Sequence, residues 1–197
     1  MSQNKVYTVI GARGTGKTPF IRGGDFEDGM AKLWAKKNMS TLVIDEIDHP
    51  KYRDVPVLLP KDYKKLSTSV GLYRTICQTQ YMDDLMYKIA NEHLIWNTLI
   101  VFEDCPKYIR KSFRRDIELS LIGNSKQQNV DLCFINWNWS DTPPDLLKKT
   151  NYIAIFKTGD DPSYRKDSIL RCYNACAEAQ QLVNAGKHPY ILIDTGL

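Results

Sequence analysis

Read for apolar and polar positions alone, the chain alternates short, nearly unbroken apolar runs with stretches of helical spacing. Residues 5–10 form the first strand pattern, and residues 18–37 the helix after it. Residues 41–44 (TLVI) and 98–102 (TLIVF) are further strands, each followed at once by two acids. Between them, residues 70–78 fit an extra strand or a hairpin arm. Residues 82–93 place apolar side chains on one helical face, as an amphipathic helix requires. Residues 110–121 predict another helix, 132–136 (LCFIN) and 152–156 (YIAIF) two more strands, 167–185 a closing helix and 190–193 a last strand. The stretch after His49-Pro50, through KYRDVPVLLPKDY, matches neither period.

Unbroken apolar strands alternating with helices belong to an α/β fold with a mostly parallel sheet covered on both faces. Such sheets bind ligands beyond the carboxyl ends of their strands. A glycine loop, two acidic pairs and Asn136 all fall at such ends, so the expectation is one cleft that collects them. A chain of 197 residues suits a single domain spanning 1–197, with a full core.

Composition narrows the class. No apolar run reaches the length of a membrane span, and the first residues lack a signal peptide's apolar stretch. The five cysteines form no Cys-x-x-Cys pair, which argues against a zinc site or disulfide framework and for reduced thiols in a cytoplasmic setting. His49, His93 and His188 are scattered. A formal net charge of +4 permits a nucleic-acid partner without requiring one.

The candidate chemistry starts at Gly11-Ala12-Arg13-Gly14-Thr15-Gly16-Lys17-Thr18. This stretch fits G-x-x-x-x-G-K-[ST] without mismatch, between a strand and a helix, as the phosphate-binding loop needs. Glycines let main-chain N–H groups wrap an anion, and the next helix adds its positive end. Lys17 brings a mobile charge to the outer phosphates of ATP. Thr18 offers an oxygen to Mg²⁺, a cation that takes few protein ligands beside phosphate oxygens. Pro19 restricts Thr18 but is tolerated in a first helical turn, so a slightly adjusted helix start is expected.

Either acidic pair could serve a nucleotide hydrolase, which needs one carboxylate near the metal and often a second for the attacking water. Local spelling favours Asp45-Glu46. Topology favours Glu103-Asp104, because the strand straight after the loop's helix usually lies off to the side. The reading is Glu103 in the metal shell and Asp104 on the water, with the split of roles left open by the reversed order. Asn136 ends its strand either as a contact to the γ-phosphate or water, or as a turn residue.

The order of these parts resembles the FtsK–HerA superfamily of ring-forming DNA-pumping ATPases, and within it the small viral genome-packaging ATPases. After TLIVFED comes a helix, then LSLIGNSKQQNVDLCFINWNWSDTPPDLLKKTNYIAIFKTGD. In the viral members a similar block has an Arg-His pair, a strand ending in a polar sensor, a proline loop and an Asn before another strand. Asn136, the segment 141–144 and Asn151 occupy those places here, whereas Lys126-Gln127 stands where the Arg-His pair would be. The resemblance covers residues 5–160. It implies a three-layer P-loop NTPase core of RecA/ASCE type, ATP and Mg²⁺, double-stranded DNA, and a pentameric or hexameric ring. It extends to a capsid vertex and to a place in the host cytoplasm or on the virion.

In such rings a neighbour's arginine completes each site, stabilising developing phosphate charge. Arg114 is the candidate, with Arg110 and Arg115 beside it. The same basic stretch also reads as a solvated helix face, or as phosphate contacts to DNA together with Lys107 and Lys111. Trp137 and Trp139 read as packing rather than base-stacking side chains. Two other classes share the loop. One is a small kinase, for which the C-terminal third offers only Arg165 and Arg171 as lid cations. The other is a phage assembly ATPase like the zonular occludens toxin proteins, which usually carry a membrane span.

Overall fold

The computed structural model describes residues 4–24, 28–109 and 115–197. In chain order the strands are β1 (Val6–Ile10), β2 (Ser40–Asp45), β3 (Leu72–Ile76), β4 (Thr98–Phe102), β5 (Val130–Asn136), β6 (Tyr152–Phe156) and β7 (Tyr190–Asp194). The helices are α1 (Lys17–Arg22), α2 (Met30–Ala35), α3 (Met82–Asn91), α4 (Arg115–Ser125), α5 (Pro144–Lys149) and α6 (Tyr173–Asn184). The strands form one sheet in the order β3-β2-β4-β5-β1-β6-β7. β2 runs parallel to β3 and β4, and β1 parallel to β6. The closing strand β7 is antiparallel to β6. This is the mostly parallel α/β sheet that the apolar runs predict.

The chain falls into two compact units. One comprises Thr18–Glu103 with the stretch that ends at Cys133; the other comprises Lys5–Lys17 with the stretches that start at Asp104 and Phe134. In the first, every residue of β2 and β4 is buried. Parallel strands covered on both faces are apolar throughout for this reason. α3 buries Met82, Leu85, Met86, Ile89 and Ala90, the stripe its spacing predicts. Trp34 of α2 is buried, and its indole N–H donates to Asp131 at 2.8 Å.

In the second unit, Ile10, Ile153 and Ile155 pack with Leu147, Ile169 and the α6 residues Cys176 and Ala179. Trp139 is fully buried among them and donates to Gln180 Oε1 at 2.8 Å. It is therefore a packing residue, as expected. All five cysteines are buried and unbridged. No described helix is long and apolar enough to cross a membrane.

The element boundaries differ from the sequence reading where backbone chemistry intervenes. The helix expected over 18–37 is two short ones. α1 stops at Arg22, and Gly23 follows at φ 90° with its N–H on Pro19 O at 2.8 Å, a conformation that glycine adopts freely. The helix expected over 167–185 starts only at Tyr173, behind 3₁₀ turns at Pro162–Ser168 and Leu170–Cys172. β3 is a parallel strand, not a hairpin arm. The segment that matched neither period folds largely as 3₁₀ turns, Pro50–Tyr52 and Pro60–Ser67, each with proline in its first turn. α5 starts at Pro144 of the proline loop, a position where a missing N–H costs nothing.

Candidate nucleotide site

In the second unit, β1 ends at Ile10 and the chain turns into residues 11–17. The first two amides of this loop are held by the fold: Gly11 N–H donates to Asn136 O at 3.2 Å and Ala12 N–H to Lys157 O at 2.8 Å. Gly11 is required by space, because a Cβ there would lie 2.4 Å from Phe156 Cβ. Gly14 and Gly16 are required by conformation, at φ 78° and 100°, where a side chain costs about 1–2 kcal/mol. A Cβ on Gly14 would project into space with nothing within 4 Å. The loop is thus a concave stretch of main chain, open on the side where side chains are missing.

Lys17 folds back over that stretch. Its Nζ donates to Ala12 O at 2.7 Å and also to Gly11 O. Thr15 Oγ1 closes the turn on Ala12 O at 2.8 Å. A cation folded over a glycine-opened main chain suits a polyphosphate chain. Beside the loop lies a cleft of about 320 Å³, lined by Ala12, Arg13, Trp137, Asn138, Thr158 and Asp160, together with Gly159.

Arg13 lies with its guanidinium 4.6 Å from the Trp137 ring centroid. The Trp137 indole N–H donates to Asp104 Oδ1 at 2.9 Å, and Lys107 Nζ lies 3.2 Å from Asp104 Oδ2. Burial acts to raise the Asp104 carboxyl; the bonds from Trp137 and Lys107 outweigh it and hold it below the ordinary carboxylate value. Asp104 is thus a charged carboxylate engaged by an indole and an ammonium. Asn136 is fully buried. Its Nδ2 points to Phe134 O at 3.4 Å, and its Oδ1 has no hydrogen-bond partner among the described residues. A buried amide in this state calls for a ligand or water.

The first unit holds the other candidates. Thr18, half-buried, lies in the first turn of α1. Glu103 follows β4, and its Oε1 accepts from Tyr52 Oη at 2.6 Å. Burial first, and the Glu103 charge second, push the Tyr52 hydroxyl well above its ordinary pKa. Asp45 and Glu46 are committed elsewhere. The Asp45 carboxylate accepts from Ile47 N at 3.2 Å and His49 N at 2.6 Å, with Arg74 at 3.9 Å. Glu46 accepts from Thr79 Oγ1.

Arg110 and Arg114 lie outside the described residues, and Arg115 opens α4. Arg165 and Arg171 are bound to main-chain carbonyls: Arg165 to Thr142 O at 2.7 Å, Arg171 to Thr195 O at 2.9 Å. Tyr52 bonds Glu103, Arg22 lies 5.8 Å from the Tyr52 ring centroid and Trp137 bonds Asp104; Tyr52 and Arg22 are not singled out by the sequence reading. Tyr52 sits in the stretch without periodicity, where the only cue is a proline-led turn.

No protein-family model matches the chain, and no curated protein does. Solved structures do. The genome packaging NTPase B204 from Sulfolobus turreted icosahedral virus 2, in complex with AMP, superposes with a TM-score of 0.72 at 13% identity, over 100% of this chain and 95% of that one. The same NTPase with ATP-gammaS gives 0.72 at 16% identity, over 100% and 94%. B204, the DNA-packaging ATPase from Sulfolobus Turreted Icosahedral Virus, gives 0.69 at 13% identity, over 100% and 95%. The chain therefore has the P-loop NTPase-like α/β fold of these proteins, a seven-stranded, mostly parallel sheet flanked by helices.

Proposed function

We propose that this chain is an ATP-hydrolysing motor subunit of the viral genome-packaging kind, of FtsK–HerA type, both units forming one ATPase domain. The observation that carries the reading is the loop of residues 11–17, where two left-handed glycines open the main chain and Lys17 folds across its carbonyls. Likeness of fold to packaging NTPases over the whole chain supports the biological setting.

In this reading the loop amides and Lys17 hold the phosphates of ATP, and arrival of the phosphates draws Lys17 from the carbonyls it now bonds. Thr18 and Glu103 would hold Mg²⁺, an all-oxygen donor set that suits this hard cation. When bound, the ion neutralises charge on the phosphates. Asn136, whose Oδ1 lacks a partner among the described residues, orients the terminal phosphate or the attacking water. Asp104 is the second carboxylate, kept ionised by Trp137 and Lys107. Arg114 is the cation given to a neighbouring subunit in a pentameric or hexameric ring. Double-stranded DNA is the load, moved at a capsid vertex in the host cytoplasm. The test is ATP turnover with and without duplex DNA, alongside light scattering with nucleotide. Stimulation by DNA and a nucleotide-dependent ring are expected. A DNA-indifferent monomer would end the motor reading, and undiminished turnover by Lys17→Ala would end the nucleotide reading.

A further inference from the structure

Tyr52 is fully buried, yet its ring carries a hydroxyl, and that hydroxyl donates to Glu103 Oε1 at 2.6 Å. Phenylalanine would fill the same space. A buried phenol needs a partner, and here the partner is the carboxylate that follows β4.

The segment around Tyr52 is tied down on several sides. Asp45 accepts from Ile47 N and His49 N. Arg74, buried on β3, binds Asp48 and donates to Val55 O at 3.2 Å. Arg22, the last residue of α1, binds Lys51 O and Asp54 Oδ2, the latter at 2.6 Å. Its guanidinium lies 5.8 Å from the Tyr52 ring centroid. The helix that carries Thr18 in its first turn thus ends by holding the tyrosine that holds Glu103.

A carboxylate gripped at one oxygen has its plane fixed, and with it the direction of the other. Partners that orient a ligating side chain change metal affinity or activity by about 10–100-fold when removed. We propose that Tyr52 is a positioning residue for Glu103: it fixes the carboxylate's orientation toward the nucleotide-bound divalent cation, and Arg22 couples that grip to α1. The proposal rests on Glu103 being a metal ligand.

The experiment is Mn²⁺ binding to the ADP-loaded protein, read as free Mn²⁺ by electron paramagnetic resonance, which needs no turnover. Tyr52→Phe is expected to raise the half-saturating Mn²⁺ concentration about 10-fold or more, while ADP affinity without metal stays unchanged. Arg22→Ala, which loosens the segment without touching the phenol, is expected to shift it in the same direction by less. It serves as the test should Tyr52→Phe fail to fold. In a Glu103→Gln background, Tyr52→Phe is expected to add no further shift. Wild-type Mn²⁺ binding in the folded Tyr52 or Arg22 variant, with binding lost in Glu103→Gln, overturns the role of Tyr52 alone. Wild-type binding in Glu103→Gln overturns the assignment of Glu103, and this proposal with it.

Discussion

Two strands of this protein end in near-identical spelling, TLVI before Asp45-Glu46 and TLIVF before Glu103-Asp104, and the fold treats them differently. Asp45 is 1% exposed, and its carboxylate is shared among two amides of its own turn and the Arg74 guanidinium. Glu103 is half-buried, and its Oε1 accepts from the Tyr52 hydroxyl of a separate segment. The first arrangement builds a loop. The second joins two segments through one side chain. A carboxylate surrounded by the amides of its own turn is a structural anchor, because displacing it would take the acceptor from two part-buried amides and loosen the buried Arg74 at once. In the pair with the more conventional local spelling, Asp45 is engaged by its own turn.

The sharpest way to break this comparison is Glu103→Gln. Turnover of ATP should fall by about 100-fold or more, in the range of lost acid–base or electrostatic groups, with the thermal midpoint little changed. Steady-state phosphate release and calorimetry together check it. Asp45→Ala should do the reverse, costing about 1–3 kcal/mol by taking the acceptor from the Ile47 and His49 amides, while Arg74 keeps Asp48. Turnover measured well below the melting point should persist. A shifted denaturant midpoint with preserved activity is the expected signature; a stable but inactive Asp45→Ala protein would restore Asp45 as the catalytic acid.

A pH titration of stability sharpens the same contrast, since the segment that supplies Tyr52 is also fastened by Tyr63, whose hydroxyl donates to Thr75 at 3.0 Å. Burial pushes Tyr63 up from 10.0 to about 12. A raised folded-state pKa means stability present below the unfolded value and lost as pH climbs through the folded one. Unfolding free energy should therefore hold steady up to pH 10 from this group and decline toward pH 12, and Tyr63→Phe should flatten that decline. The smallest effect belongs to Glu46→Gln. Its side chain is bonded by Thr79 Oγ1 near the surface, and substitution should move stability by only about 0.5 kcal/mol, read from the same denaturant curves.

What the sequence discloses divides along a physical line. The loop 11–17 is legible because its function is in the main chain, and only glycine frees the main chain; Gly14 and Gly16 occur where a positive φ is needed. The parallel strands are legible because burial on both faces removes polar residues from them. The order of β2 and β4 follows from the intervening unit between them, and β4 does lie inside β2 in the sheet. Tyr52 was not legible. Its segment is shaped by 3₁₀ turns and by long side chains, Arg22 and Arg74, arriving from distant elements, and neither leaves a period. The same holds for Trp137, whose indole meets Asp104 across 33 positions of chain. The broken helix after the loop was misjudged because its apolar spacing survives while Gly23 turns the backbone out of register.

One feature of the loop reaches to the far edge of the sheet. Gly11 and Gly16 both rest on Phe156, and Phe156 stacks on Tyr190 with ring centroids 5.2 Å apart and planes 22° from parallel. The ring beside the loop is therefore itself flanked by a second, from the last strand, where Phe156 and Tyr190 are cross-strand partners. A protein trimmed before Tyr190 would keep residues 11–18 unchanged, yet lose one of the rings packed against Phe156. Such a truncation would show up first as weakened ATP retention rather than as a missing residue.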